Sequence, residues 1–499
     1  MVEVDPTAQS QTPRDVVDLP AWPVETVRAA AAGRHIWLAG GAVRDLILGR
    51  TPADWDFVTD WGALSLARSV ADALGGAYYP LDEARGTGRA IVNSMHDASR
   101  TTLDFAELRG ADIDHDLRLR DFTINALGAD LCGRLLDPTG GRQDLLQAVV
   151  RSVGQNTFAQ DPVRLIRAIR QSVELGFALA PETRDQIAAE AVRVTSVAAE
   201  RIRSELVRLM ALQGGPACLA HLGQLGVLPA VLPELCAVSP TGHSPGAPDP
   251  VLSQAVGGAV RATAGVAASS GNPIAQSDAD NWATRIGRTT ERVYSALADY
   301  WQTQVDTEMT RGGLVAWSAL FLCAGLTSRH EVATGTFAEQ CAAVAADAEQ
   351  ALSRLRFSRA AGRFVTQTIV HVAAFEDIVT DASPLSLHRY FRESREAGIA
   401  GALLSAAVAA EGSFAPAALA EQGDHPEAFA GAATAYLTQY GELIAPPTLL
   451  SGSDLIALGV PEGPRIGELL LDLRERQVTG ALSTQADAIA WVNQEVSTR

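Results

Sequence analysis

The sequence predicts an α+β fold in which a small sheet-containing head comes first and helices make up the rest. Residues 36–60 have the pattern of a strand, a glycine turn, a helix and a second strand, and apolar runs at 89–94 and 101–106 predict two further strands. Beyond the head, residues 182–235 are helical in pattern, and residues 283–440 are alanine-rich and helical.

The length of the chain, 499 residues, exceeds what one hydrophobic core can organise and indicates about three or four domains. Composition shifts and turn-rich stretches suggest the boundaries. We divide the chain into a disordered tail over 1–20, the head over 21–153, a helical neck and body over 154–240, a linker over 241–282, a helical domain over 283–440 and a C-terminal helical tail over 441–499.

Nothing in the sequence predicts a membrane segment or a secretion signal. The longest uncharged apolar stretches, such as 314–326, are too short to cross a bilayer, and the N-terminus is polar and acidic. Reduced core thiols are expected, because the cysteines are far apart and form no C-x-x-C pair. These cysteines are Cys132, Cys218, Cys236, Cys323 and Cys341. We therefore expect a cytoplasmic protein.

The charge distribution limits the kinds of partner. The net charge of −18 argues against a protein that binds nucleic acid indiscriminately, since phosphate contacts need local positive charge. Acidic residues outnumber arginines in residues 1–115 and 211–499, whereas residues 116–210 contain 13 arginines and 12 acidic residues. The chain contains no lysine, so every cationic contact must come from arginine, which suits bidentate recognition of phosphates and bases.

Residues 36–60 contain the first candidate phosphate-binding and metal-binding residues. Gly40 and Gly41 end an apolar strand and open a helix, so the backbone can approach a ligand and the free N–H groups favour a phosphate. Asp54 and Asp56 follow in a strand whose period of two places both carboxylates on one face. Two adjacent carboxylates suit Mg²⁺, which predicts a nucleoside triphosphate held at the glycine turn with its metal on the two aspartates.

Three motifs together carry a resemblance to a known family. GGAVRD, LILGR and DxD in residues 36–60, RDFTINAL in residues 120–127 and QDPVRLIRAIR in residues 160–170 resemble the bacterial CCA-adding enzymes and poly(A) polymerases, a branch of the polymerase-β-like nucleotidyltransferases. The resemblance implies a mixed-sheet nucleotidyltransferase head, a helical neck, body and tail, and transfer of C and A from CTP and ATP to tRNA 3′ ends with Mg²⁺. It implies no membrane or DNA partner. Gly40, Gly41 and Arg44 would bind the nucleotide.

Asp104 is a third carboxylate in the predicted strand 101–106. It shares a face with Thr102 and Ala106, and both a strand-edge aspartate and a catalytic one fit this pattern. In the resembled family an acid stands at this place. The resemblance therefore implies that Asp104, with Asp54 and Asp56, activates the attacking 3′-hydroxyl.

The motif RDFTINAL resembles the second motif of the family. There the resemblance implies that Arg120 meets the triphosphate and that Asp121 holds the ribose 2′-hydroxyl, with Asn125 in support. An Arg-Asp pair at this place is otherwise read as a helix cap or a surface ion pair.

The pattern of residues 158–179 predicts a capped helix, one side of which carries arginines that could bind a nucleotide. Asp161 and Pro162 stand at its start, and Arg164, Arg167 and Arg170 recur every third residue. A carboxylate beside a guanidinium can accept from the exocyclic amino group of cytosine or adenine and donate to the adjacent ring nitrogen. Asp161 and Arg164 would thus select C and A without a template, and the resemblance adds Arg167 and Arg170. A solvated arginine face is the alternative.

Three departures from the family bear on the scope of the activity. Only six residues, GADIDH, separate Arg109 from Asp116, where many CCA-adding enzymes have a longer flexible loop associated with moving from C to A addition. Leu119 replaces a second arginine, and Gln160 replaces the usual glutamate. A relative of narrower scope, adding only CC, only A or a poly(A) tail, therefore remains an alternative.

A catalytically silent RNA-binding scaffold is the second alternative. Residues 317–327 match the place of a His-Asp phosphohydrolase region that the resemblance implies in several relatives, but Cys323 and Ala324 stand in place of the His-Asp pair, so no metal chemistry is expected there. Residues 448–480 resemble the RNA-binding tail of the family, with cations at Arg465, Arg474 and Arg476.

Overall fold

The structure, a computed structural model, describes residues 16–93, 100–212, 214–235, 250–270, 282–329, 335–410 and 424–497. Most of the predicted tail over 1–20 lies outside these residues. The chain forms two compact units, one up to Val197 and one from Ala198 onward. The first unit thus includes residues 154–197, which the sequence assigns to the neck.

The first unit is built on a seven-stranded mixed sheet. Its order is β3-β4-β5-β2-β1-β6-β7; the β2–β5 pair is parallel, and the other pairs are antiparallel. The strands are β1 Ile36–Ala39, β2 Asp54–Thr59, β3 Ala77–Asp82, β4 Thr87–Asn93, β5 Arg100–Glu107, β6 Gly128–Asp130 and β7 Leu135–Leu136, with a separate parallel pair of β8 Val149–Val150 and β9 Ala178–Leu179. The predicted strands at 89–94 and 101–106 are β4 and β5.

Among the described residues of the first unit, eight α-helices surround or follow this sheet. They are α1 Ala21–Ala31, α2 Gly41–Ile47, α3 Ala63–Ala73, α4 Ile113–Arg118, α5 Gly141–Leu146, α6 Thr157–Gln160, α7 Arg164–Leu175 and α8 Pro181–Glu190. Helix α3 packs across β3, β4 and β5 and buries Leu66 and Val70, which are one turn apart. Phe57 and Phe105 stack 5.2 Å apart, and both are fully buried. This apolar layer fixes the face of β2 and β5 that remains for polar side chains.

The second unit is helical. Its helices are Ala199–Ala211, Gly215–Gln224, Val227–Val231, Pro250–Ser269, Trp282–Thr289, Tyr294–Gln302, Arg311–Arg329, Phe337–Arg354, Arg359–Ala374, Glu376–Thr380, Pro384–Ser394, Gly398–Ala409, His425–Thr438, Gly452–Ala457, Pro464–Val478 and Gln485–Ser497. The last three enclose a small apolar core that includes Leu455, Leu469 and Val492. A mixed-sheet head followed by a helical body confirms the predicted fold class.

Two element boundaries differ from the sequence-based expectation. Helix α7 begins at Arg164, two residues later than predicted, with Val163 at its N-cap position and no side-chain cap. Asp161 is extended because a residue that precedes proline is kept out of the helical region. In addition, residues 250–269, part of the predicted linker, form a helix that packs along Arg311–Arg329. Their Ala- and Val-rich pattern outweighs the turn residues that flank them.

None of the helices within the described ranges combines the length and the apolar character needed to cross a membrane. The four cysteines that fall in those ranges form no disulfide. Cys323 and Cys341 are buried, but Cys132 is exposed, so the expectation of core thiols is wrong at Cys132. It lies in the turn between β6 and β7, where its backbone N–H donates to Asp130.

Candidate active site

Three carboxylates lie on one face of the head sheet. Asp54 and Asp56 alternate along β2 with Trp55, which is 2% exposed on the apolar face. The parallel register aligns Asp56 with Asp104 of β5. The structure therefore brings together the three carboxylates that the sequence singled out.

The ionised form of the Asp56 side chain is destabilised by its surroundings. The pKa of Asp56 is raised to about 6, chiefly by burial; the Arg120 guanidinium opposes this shift, and the negative charges of Asp104 and Asp54 add to it. A cation bound beside Asp56 would remove this destabilisation, because it would compensate the buried negative charge.

Asp104 is held by an arginine that sequence reasoning missed. Arg89, on β4, donates from Nε to Oδ1 and from Nη2 to Oδ2 of Asp104, both at 2.7 Å. The antiparallel register places these two residues directly opposite each other. The signal was available, since the predicted strands 89–94 and 101–106 are neighbours in sequence and would pair as a hairpin.

The remaining carboxylates fit a divalent cation. Asp54 and Asp56 offer hard oxygen donors of the kind that Mg²⁺ prefers. Within the described ranges, no group of three or more His, Cys, Asp or Glu side chains is arranged to hold a metal ion. Asp104 is turned toward Arg89, which explains why it does not complete such a group.

The glycine turn leaves room for an arginine next to the carboxylates. Gly40 has a positive φ of 76°, and its N–H donates to Leu127 O over 2.9 Å. A Cβ built on Gly40 would lie 2.5 Å from Nη1 of Arg120 and 3.5 Å from Oδ2 of Asp56. Gly40 thus permits the Arg120 guanidinium to lie beside Asp56.

Arg120 projects into this space with an unsatisfied donor. Its Nη2 is 3.4 Å from Oδ2 of Asp116, and its Nε is buried and has no hydrogen-bond partner among the described residues. A buried N–H without an acceptor costs free energy. An anionic oxygen, such as one from a triphosphate, would satisfy it.

Asp121 is the centre of a buried polar network. Its Oδ1 accepts from Phe122 N at 2.8 Å and from Asn125 Nδ2 at 3.0 Å, and its Oδ2 lies 3.3 Å from Nη1 of Arg167. Gln171, which the sequence analysis did not identify, accepts from the Asn125 amide at 2.9 Å. The network orients Asp121 and ties the RDFTINAL segment to α7.

Arg44 joins the same network from α2. Its Nη1 donates to Asn125 Oδ1 at 2.8 Å, and its Nε donates to Asp45 Oδ1 at 2.8 Å. Gly41 is adjacent, since a Cβ built there would lie 3.5 Å from the Arg44 guanidinium. The structure thus places Arg44 among residues that shape the site, and its contact with a nucleotide stays a prediction.

The three arginines of α7 have different partners. Arg164 is 8% exposed and donates to the backbone carbonyl oxygens of Leu119 at 3.1 Å, Thr157 at 3.3 Å and Arg120 at 3.4 Å. Burial lowers its pKa from the ordinary value.

Arg170 pairs with Glu174 on the same helix at 2.5 Å. The predicted base-reading roles of Asp161 and Arg164 stay a prediction, and the structure adds a bracing role for Arg164.

The connection between β5 and α4 is a short closed turn of residues 108–112. Leu108 N donates to Thr59 O at 3.0 Å, and Arg109 N donates to Oδ1 of Asp116 at 3.0 Å. Asp112 caps α4 by accepting from His115 N. Asp116 is 3% exposed and faces Arg120 with its other oxygen, so the turn and the site share one carboxylate.

Cations in the C-terminal tail are engaged within the tail. Arg465 pairs with Glu468 at 3.0 Å and Glu495 at 3.6 Å, and the Arg476 guanidinium lies 4.8 Å from the Trp491 ring. Arg474 is exposed. The predicted RNA-binding role of this segment stays a prediction.

Comparisons with known proteins agree with this arrangement. Residues 36–151 match the family described as Poly A polymerase head domain, and residues 176–238 match the probable RNA and SrmB- binding site of polymerase A. The chain is 32% identical to a CC-adding tRNA nucleotidyltransferase of Geobacter sulfurreducens over 92% of both chains. It is 39% identical to an A-adding tRNA nucleotidyltransferase of Deinococcus radiodurans over 40% of this chain and 45% of the relative.

Solved structures share the fold. The Bacillus stearothermophilus CCA-adding enzyme in complex with CTP superposes with a TM-score of 0.59 at 19% identity, covering 97% of this chain and 99% of the other. The Thermotoga maritima CCA-adding enzyme complexed with tRNA superposes with a TM-score of 0.56 at 17% identity, covering 95% and 94%.

Proposed function

The chain is a nucleotidyltransferase of the CCA-adding enzyme and poly(A) polymerase family, and from this premise we propose that it adds two C residues to the 3′ end of tRNA. It takes CMP from CTP and releases pyrophosphate. The observation that carries the proposal is the row of Asp54, Asp56 and Asp104 beside the Arg120 guanidinium on one face of the head. Carboxylates for a metal and a cation for the triphosphate are what phosphoryl transfer requires.

Asp54 and Asp56 would hold the metal. Enzymes of this family use divalent ions, and we propose Mg²⁺ for this chain because both donors are carboxylates. When bound, the ion would lower the pKa of the tRNA 3′-hydroxyl and neutralise charge on the triphosphate. Asp104 would assist in activating that hydroxyl after its hydrogen bonds from Arg89 are released.

The other site residues bind and orient the substrates. Arg120 would donate to the triphosphate from the guanidinium group that lies beside Gly40 and Asp56. Asp121, held by Asn125 and Arg167, would accept from the ribose 2′-hydroxyl. The 3′-oxygen of tRNA then bonds to the α-phosphorus of CTP as the bond to pyrophosphate breaks.

Asp161 and Arg164 would select the base. Arg164 is fixed by three backbone carbonyls, which hold its guanidinium in one orientation. A guanidinium has five N–H groups, more than these three contacts use. A rigid donor next to a carboxylate suits recognition of the amino group and ring nitrogen of cytosine.

The restriction to two C residues rests on the short turn 108–112. A long flexible loop at this place is associated with moving from C to A addition, and here the turn is closed by Asp116 and Asp112. The relative that matches the chain over 92% of its length is a CC-adding enzyme. Both observations support CC addition.

Complete CCA addition is the second candidate. The Asp161 and Arg164 pair favours it, because the predicted hydrogen bonds fit adenine as well as cytosine. Incubating tRNA that ends in CC with ATP separates the two candidates. AMP incorporation would support CCA addition, and its lack would support CC addition.

The transfer itself is tested by CTP incorporation into a tRNA transcript that ends before CCA, with Mg²⁺ present. Asp54→Ala and Asp56→Ala should each lower the rate by at least about a thousandfold, because a ligand of the catalytic ion is lost. Binding of tRNA should change by less than about threefold.

Asp60→Ala is the matched control. Asp60 follows the other end of β2, is exposed and contacts His35, so its variant should behave as wild type. Residual activity of Asp54→Ala or Asp56→Ala within about tenfold of this control would contradict the assignment. A wild-type chain that incorporates no CMP would leave the RNA-binding scaffold as the better account.

A further inference from the structure

Arg89 is a cation built into the edge of the carboxylate row. It lies on β4, opposite Asp104, and makes two parallel hydrogen bonds of 2.7 Å to that carboxylate. The side chains of Arg89 and Asp104 are 37% and 22% exposed. Two parallel N–H to oxygen bonds give the pair a fixed geometry that a surface ion pair usually lacks.

The guanidinium of Arg89 interacts with the whole row. Its pKa is raised chiefly by the bond to Asp104, with further contributions from the negative charges of Asp54 and Asp56. On the other side of the row, Arg120 lies beside Asp56. Two arginines therefore contribute positive charge to the three carboxylates, Arg89 at Asp104 and Arg120 near Asp56.

The pairing changes what the row offers to a metal ion. Both oxygens of Asp104 accept from Arg89, so an ion that approaches Asp104 meets a positive charge and finds one lone pair of each oxygen already in use. Asp54 and Asp56 carry no such bidentate partner in the described ranges. A bare ion would accordingly bind to a site of two carboxylates and not three.

We propose that Arg89 is a positioning residue that competes with the divalent cation for Asp104, so that Asp104 joins the metal site only after its bond to Arg89 is released. This inference adds a role for Arg89 to the proposed nucleotidyl transfer, and its functional meaning depends on that proposal. The physical reason is repulsion: three neighbouring carboxylates destabilise each other in the ion-free protein, and Arg89 neutralises one of them. The same contact weakens binding of an ion that arrives without nucleotide.

Direct binding of Mn²⁺ to the ion-free full chain tests the proposal without CTP or tRNA. Titration calorimetry or electron paramagnetic resonance at pH 7.5 gives the dissociation constant. Arg89→Gln should bind Mn²⁺ about tenfold more tightly than wild type, which is the effect of removing a competing charge-assisted pair. An affinity for Mn²⁺ equal to or weaker than that of wild type would overturn the proposal.

Arg85→Gln is the matched control. Arg85 lies in the turn just before β4, is exposed and is 3.7 Å from Asp82, away from the carboxylate row. It changes the net charge of the chain by the same amount as Arg89→Gln. Its affinity for Mn²⁺ should equal that of wild type, and equal tightening in both variants would assign the effect to net charge and overturn the proposal.

The dependence on Asp104 separates competition from a structural role. In an Asp104→Asn background, Arg89→Gln should tighten Mn²⁺ binding by less than about twofold, because no carboxylate remains for Arg89 to occupy and only its longer-range charge effect on Asp54 and Asp56 is lost. Tightening of about tenfold in this background would contradict the mechanism.

Arg89→Lys provides a second variant if Arg89→Gln proves poorly folded. An ammonium cannot pair with both oxygens in the same way, so tightening of about threefold is expected, and it too should vanish with Asp104→Asn. Unchanged affinity in a folded Arg89→Lys would count against the proposal. Because the titration contains no nucleotide or RNA, its result stands apart from the success or failure of the CTP assay.

Discussion

At the scale of single residues, the site is a set of like charges held together by their neighbours. Asp56 is the central case, since burial and the charges of Asp54 and Asp104 all raise its pKa. Arg120 and Arg89 offset part of this cost in the ion-free protein. The ion-free site therefore lowers the stability of the folded protein, and a bound cation would offset this cost.

Replacing Asp56 by Asn should stabilise the ion-free protein. The folded-state pKa of Asp56 is about 6 against an ordinary value of 3.8, so the folded state binds the proton more tightly and stability falls as pH rises through this window. At pH 7.5, with a chelator present, Asp56→Asn should be more stable by about 2–3 kcal/mol in denaturant unfolding.

The pH dependence is the control for this prediction. Below about pH 3 the Asp56 side chain is neutral in both states, so the difference between the two proteins should nearly vanish. A stabilisation that stays constant from about pH 3 to pH 8 would show that the gain does not come from ionisation. Added Mg²⁺ should stabilise wild type more than the variant.

Much of the residue-level site could be predicted from sequence. The D-x-D spacing places Asp54 and Asp56 on one face by strand geometry alone. The contact between Asp104 and Arg89 was missed because it depends on the register of β4 against β5, which pattern reading did not assign. Gln171 was missed because a buried glutamine on an amphipathic helix gives no distinctive signal.

At the scale of elements, the short turn 108–112 and helix α4 position the arginine of the site. Asp116 accepts from the Arg109 N–H with one oxygen and faces Arg120 with the other. The same residue therefore closes the turn and orients a substrate-facing side chain. A rigid connection at this place gives the site one fixed arrangement.

Asp116→Asn should weaken binding of CTP. The amide would turn an N–H group toward either Arg109 N–H or the Arg120 guanidinium, and the charge that attracts Arg120 would be lost. We expect the KM for CTP to rise about tenfold with a smaller fall in kcat, measured by steady-state incorporation. Asp114→Asn, an exposed position on the same helix, is the control. Equal KM values for the two variants would rule out the positioning role.

Element boundaries were less predictable than element types. The start of α7 was placed too early because Asp161 and Pro162 resemble a helix N-terminus, whereas the proline keeps Asp161 extended and the helix begins at Arg164. The helix Pro250–Ser269 was hidden by the glycine- and serine-rich residues around it. Its packing against Arg311–Arg329 is a long-range contact that a local pattern does not reveal.

At the scale of the whole molecule, the balance of charge constrains how RNA is bound. The chain has 58 acidic and 40 basic residues, so tRNA must be recognised at local clusters of arginine. Residues 116–210 are the only segment without an acidic excess, and they carry Arg120, Arg164 and Arg167. These three arginines all lie in the first unit, and Arg120 and Arg167 are next to Asp56 and Asp121 of the candidate site.

The number of nucleotides added is the measurement that tests the account most directly. A tRNA transcript ending before CCA is incubated with the purified chain, Mg²⁺, CTP and ATP, and the products are resolved at single-nucleotide resolution. The account predicts a sharp product two nucleotides longer than the substrate, unchanged when ATP is left out. A product three nucleotides longer would contradict the restriction to CC, and a substrate of unchanged length would contradict nucleotidyl transfer itself.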